Sequence, residues 1–227
     1  MGGTFTVLKW GLRNWYDEMI MFTAVGFLSA LMLIPFAAVA FLVFGLLQLP
    51  VVVLLFVGPF LPGPALVGMH ALARELARNE GISWSLFWGT TRQYLWKSLA
   101  LFAISFLATV TIMTSMRFYM ASDNIILQWV GFAWLYGLIL WSIMQMYLLP
   151  LLLEQERFNL LLLYRNALIV TAAKPVVSLV VLIVSGLLLL AGYFTVVGLP
   201  LLVIPIMAVL ANHALQFAIY GPPKPLE

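Results

Sequence analysis

His70 and His213 are the only histidines in this 227-residue chain, and there is no cysteine. A neutral imidazole can ligate a metal or a tetrapyrrole, or relay a proton inside a membrane. Neither histidine has Cys, Asp or Glu at ligand spacing, so each is expected to be a hydrogen-bonded or headgroup-facing side chain at a helix end. They are at most weak metal candidates, and no metal or cofactor is expected. Without cysteine there is no disulfide, thiolate nucleophile or Cys-ligated cluster. The chain also lacks a phosphate-binding glycine loop, a zincin histidine pair and a nucleophile elbow, so no enzymatic activity is expected.

A second candidate is a run of helix-breaking residues, Gly58, Pro59, Pro62, Gly63 and Pro64. Proline removes a backbone donor and crowds the preceding turn. Broken helices in transporters expose half-helix ends that bind ions or substrate, so Pro59, Pro62, Gly63 and Pro64 are a candidate helix break or ligand pathway. The plainer reading is a kink that lets Gly63 and Gly68 approach a neighbouring helix closely. The buried polar candidates within the apolar stretches are Ser29, Thr109, Thr111, Thr114, Gln145, Ser178, Ser185 and Asn212. Such groups more often bridge helices than bind substrate.

The elements that must position these residues follow from composition. Apolar residues make up 64% of the chain and charged residues 8%, against roughly 25% charged in a soluble domain. The bilayer is therefore the main solvent. Six charge-free stretches are long enough to cross it as helices, at residues 19–47, 51–72, 98–116, 125–153, 175–193 and 199–220. The expected fold class is all-α, a single-domain polytopic bundle of about six transmembrane helices arranged as three hairpins. The first stretch is too long for a signal-peptide core and lacks a small-residue cleavage pattern, so it is expected to be retained.

The net charge of +3 comes from Lys and Arg near span ends, which suits anionic lipid headgroups; no nucleic-acid partner is expected. Under the six-span reading, Lys9, Arg13, Arg74, Arg78, Arg92, Lys97, Arg157, Arg165, Lys174 and Lys224 share one side, and Arg117 stands on the other. The positive-inside rule then places both termini on the cytoplasmic side.

Aromatic and basic residues mix ahead of each hairpin and are expected to form interfacial amphipathic segments. Their rim comprises Arg13, Trp84, Trp88, Arg92, Trp96 and Arg165. Ser83 is placed to cap one such helix, with Trp84, Phe87, Trp88, Thr91 and Leu95 on one face. A degenerate threefold repeat is also legible. Arg13-Asn14-Trp15-Tyr16 aligns with Arg92-Gln93-Tyr94-Leu95 and Arg165-Asn166-Ala167-Leu168. Met69-His70-Ala71-Leu72 aligns with Met146-Tyr147-Leu148-Leu149 and Asn212-His213-Ala214-Leu215.

Gly63-Pro64-Ala65-Leu66 running into His70 to Glu75, then Trp84 to Lys97, Leu148-Leu149-Pro150-Leu151-Leu152 and Asn166 to Ser178, resemble the YesL-like family of bacterial membrane proteins, a domain family of unknown function. The likeness runs from about Gly63 to the C-terminus, and extra apolar residues before Gly58 depart from it. It implies six helices and an accessory role near carbohydrate uptake, and carries no catalytic residues. The leading expectation is thus a noncatalytic accessory or scaffolding protein that meets membrane lipids and a membrane-protein partner such as a transporter. The alternatives are an uncoupled channel or facilitative carrier, and a tetrapyrrole-binding subunit of an electron-transfer or photosynthetic complex.

Overall fold

The computed structural model describes residues 2–29, 31, 63–195 and 199–221. The described residues form helices without strands: α1 (Gly2–Asp17), α2 (Met19–Ser29), α3 (Gly63–Ala77), α4 (Trp84–Gln93), α5 (Leu95–Met120), α6 (Ile125–Glu154), α7 (Leu160–Ala173), α8 (Pro175–Thr195) and, after a π-helical turn at Leu199–Val203, α9 (Ile204–Tyr220). Of these, α5, α6, α8 and α9 are long and apolar enough to cross a membrane. The two expected spans at 19–47 and 51–72 are described only at 19–29, 31 and 63–72. Pro59 and Pro62 lie outside the described residues.

Local signals set the boundaries. Ser83 accepts from the backbone of Leu86, Asn124 from Ile126 and Asn159 from Leu162, each as an N-cap.

Helices α3, α6 and α9 pack on one another at the centre. Twelve of the 15 residues of α3 and twelve of the 17 of α9 are buried, whereas α5 buries only Ser98, Leu101 and Ser105. Around this triad the packing is cyclic. Each short helix lies against one of the three central helices: α4 on α3, α7 on α6, and α1 on α9, which closes the ring. Helix α5 packs chiefly along α6 and also touches α3, and α8 lies against both α6 and α9. Phe22 and Val25 of α2 share a core cluster with Ala208 and Val209 of α9. The aligned residues His70, Tyr147 and His213 are all buried, in keeping with the repeat read from the sequence.

One expected face is corrected. Helix α4 turns Phe87, Thr90 and Thr91 inward and leaves Trp84 and Trp88 exposed, and the chain breaks at Tyr94 so that Leu95 begins α5. Apolar periodicity cannot distinguish a protein-facing from a lipid-facing side. Two glycines allow close approach. A Cβ at Gly63 would lie 2.8 Å from the Phe102 ring of α5, and one at Gly68 would meet Phe87 and Thr91 of α4.

The basic ends of α3 and α6 are tied together. Arg74 donates to the Leu153 carbonyl (2.8 Å) and pairs with Glu75, while Arg78 grips Glu154 through both carboxylate oxygens. Burial pushes the Glu75 carboxyl up, but hydrogen bonds with Glu80 and Arg74 and the charges of Arg74 and Arg78 bring it below the ordinary range. Arg74→Met is expected to cost ~1–3 kcal/mol, because it leaves a buried carboxylate and the end of α6 without their partner. A lowered midpoint in SDS-induced unfolding would register it; an unchanged midpoint would make the tie energetically idle.

Candidate functional site

A cavity of about 530 Å³ lies between α3, α5, α6, α8 and α9, within the range of small-molecule sites. Among the described residues its wall is mostly Leu, Phe, Met, Ala and Ile, and no Asp, Glu, Lys or Arg lines it. The polar residues described at the wall are His70, Ser105, Thr109, Ser142, Gln145 and Ser185.

Three hydroxyls are already engaged. Thr109 Oγ1 donates to the Ser105 carbonyl and accepts from Trp141 Nε1 at 2.9 Å. Ser142 Oγ donates to the Leu138 carbonyl, and Ser105 Oγ bonds Tyr164 Oη at 2.8 Å. Tyr164 also stacks on Trp141, with ring centroids 5.5 Å apart. Helix α7 is thereby fixed to the outside of the cavity wall.

Gln145 Nε2 and Ser185 Oγ are different, being buried with no hydrogen-bond partner among the described residues. Ser185 is only 4% exposed. A buried donor left unmade is costly, and native proteins leave few.

The histidines separate into two roles. Asn212 Nδ2 donates to the Ala208 carbonyl and sits 2.9 Å from His70 Nδ1. An amide nitrogen can only donate, so His70 Nδ1 accepts and the neutral ring carries its proton on Nε2. His70 lines the cavity. His213 instead bonds the Val209 carbonyl through Nδ1 (2.9 Å) and Asn14 through Nε2 (3.3 Å), under the edge of Trp10. With both ring nitrogens occupied, His213 works as a packing residue between α1 and α9. Among the described residues, no three His, Asp or Glu side chains are grouped to hold a metal ion.

Of the polar residues singled out in the sequence, Thr109, Gln145 and Ser185 meet at the cavity. Asn212 orients His70, and Ser178 accepts from Tyr147, having given its own proton to the Lys174 carbonyl. Ser29 and Thr111 bond carbonyls of their own helices, and Thr114 is exposed. Gly63 and Pro64 open α3 next to Phe102. The rim residues Arg13, Trp84, Trp88, Arg92, Trp96 and Arg165 are all exposed, away from the cavity. Ser105, Ser142, Trp141 and Tyr164 were not singled out, although the i,i+4 spacings Ser105–Thr109 and Trp141–Gln145 put polar groups on single helix faces.

No protein-family model, curated protein or solved structure matches this chain. The YesL-like resemblance rests on the residues that carry it.

Proposed function

We propose that this chain is a noncatalytic, multi-pass protein of the bacterial cytoplasmic membrane, with both termini cytoplasmic, that holds a small uncharged molecule within the bilayer as a binding protein or uncoupled carrier. The observation that carries this reading is a charge-free central cavity holding two unpartnered polar side chains, Gln145 and Ser185. A charged ligand would find no counter-ion there, and a proton-coupled mechanism would find no carboxylate or lysine at the wall.

The test combines extraction with flux. The protein is purified in mild detergent from native membranes, small molecules are extracted for mass spectrometry, and uncharged solutes are assayed in proteoliposomes. A neutral compound retained near one per chain, or solute flux, is expected, and Ala211→Phe, which fills the cavity from α9, should reduce either by about tenfold. A preparation free of retained compound and inactive in flux overturns the reading.

A second reading, an accessory subunit of a solute transporter, draws on the YesL-like resemblance and on the sparsely buried α5, which offers a long apolar face to a membrane partner as readily as to lipid. A stoichiometric membrane protein in the same purification would support it.

A further inference from the structure

On the reading of the central cavity as a binding site, we infer that the molecule held there is a membrane lipid, seated by a hydrocarbon chain that enters from the bilayer while its headgroup stays outside. The surface offered to a ligand is mostly hydrocarbon, and among the described residues no charged side chain lines it. The polar groups of the wall are largely turned into the protein. Thr109 and Ser142 give their protons to backbone carbonyls, Ser105 is joined to Tyr164, and Gln145 Nε2 and Ser185 Oγ are buried with no open surface. A headgroup phosphate or ammonium would lose its solvation there and gain no counter-charge, whereas a chain has none to lose. Left empty, an apolar void forfeits dispersion contacts all around its lining, and a chain restores them.

Depth and shape point the same way. The wall on α6 runs from Leu138 to Leu149, eleven positions apart, or about 16 Å along the helix. That makes a slot lying lengthwise along the spanning helices, as lipid chains themselves lie. On α5 the wall runs from Leu101 to Thr109, which starts four residues inside Lys97 and stops eight short of Arg117. About 6 and 12 Å of apolar helix thus separate the slot from the charged ends of the span, and its whole length sits at the depth of lipid hydrocarbon. The cavity is also partly open. Leu189 of its wall is 40% exposed, in a stretch of α8 where Gly186, Leu187 and Leu190 are exposed as well. The slot therefore meets the outer side of α8, where a chain can enter without crossing water.

The probe is phosphatidylcholine carrying a diazirine near the end of one acyl chain. The full chain is placed in nanodiscs doped with this lipid and illuminated, and the adducts are mapped by mass spectrometry. Adducts are expected at the cavity residues Met146 and Met207 as well as at the exposed Ile104 and Leu107 of α5. Ala211→Phe on α9 and Leu182→Trp on α8 fill the cavity from two sides, and each should lower the cavity adducts about tenfold relative to those at Leu107. The same lipid with its diazirine on the headgroup should label no cavity residue. Both variants are checked for a monodisperse folded peak, and the Leu107 adduct serves as the internal standard.

Chain-probe adducts confined to exposed positions, or cavity adducts unchanged in both variants, would overturn the seating of a lipid chain. Cavity labelling by the headgroup probe would overturn entry by the chain. A neutral compound other than a lipid, retained near one per chain and lost in Ala211→Phe, would overturn the inference while leaving the cavity as a binding site. No cavity adduct, no retained compound and no solute flux would overturn both.

Discussion

Gly68→Leu is expected to unseat α4 from α3 and destabilise the protein by at least ~3 kcal/mol, the upper end of the usual cost of overpacking a core. Even a Cβ at this position would lie 2.8 Å from the Phe87 ring and collide with Thr91. Phe87 is fully buried, so it has little room to retreat. Gly89, on the same α4, is the matched control: nothing lies within 4 Å of its Cβ position. Gly89→Ala should be neutral or slightly stabilising, since alanine is the better helix former. Unfolding midpoints in mixed micelles should separate the two widely; equal midpoints would mean that the α3–α4 contact contributes little to the fold.

The second large effect belongs to the Asn212–His70 pair. Asn212→Leu should cost ~1–3 kcal/mol, because His70 Nδ1 loses its buried donor. The average interhelical bond in a membrane sits below that range, but Asn212 also bonds the Ala208 carbonyl within α9. The double variant His70→Leu/Asn212→Leu should recover much of the loss, since replacing both partners by apolar groups leaves nothing unsatisfied. Unfolding midpoints of all four proteins check this. A double variant as unstable as the sum of the singles would show that the two residues act independently.

Four of the six expected spans were legible, because absence of charge is a strong signal in a helix surrounded by lipid. Helix α5 was read as 98–116 and runs Leu95–Met120, because Lys97 and Arg117 end the charge-free stretch yet remain helical. The Asn and Ser caps and the aromatic-basic rim were legible for similar local reasons. The 16-residue extent of α1 was not: Gly2, Gly3 and Gly11 argue against a helix there, and packing on α9, with Gly11 close to Leu210, outweighs that weak propensity.

Within the site, Thr109, Gln145, Ser185 and Asn212 stood out as polar residues in apolar runs. Their meeting could not be read, because the cavity is assembled from five helices distant in sequence. Tyr164 was hidden for another reason. Aromatic residues near span ends read as interfacial anchors, and only the fold brings the Tyr164 hydroxyl to Ser105. Trp141, midway along α6, reads as one more apolar side chain until Thr109 is seen to accept from its Nε1. The histidines were read as equivalent, but they do not stand at helix ends as expected: His70 lies midway along α3 and His213 midway along α9, both buried. Their contacts with Asn212 and Asn14, which set their different roles, could not be read.

The ring closed by α1 and α9 ties the fold to the order of synthesis. Helix α1 leaves the ribosome well before the helix whose Leu210 and His213 receive Gly11, Trp10 and Asn14. At about 5–20 residues per second, α1 waits roughly 10–40 s with its inward face uncovered while the segments between are made. A chain arrested before α9 would keep that face open to chaperones and proteases. Docking of α9 thus makes burial of α1 a late event, and exposure of α1 a sign that α9 has yet to arrive.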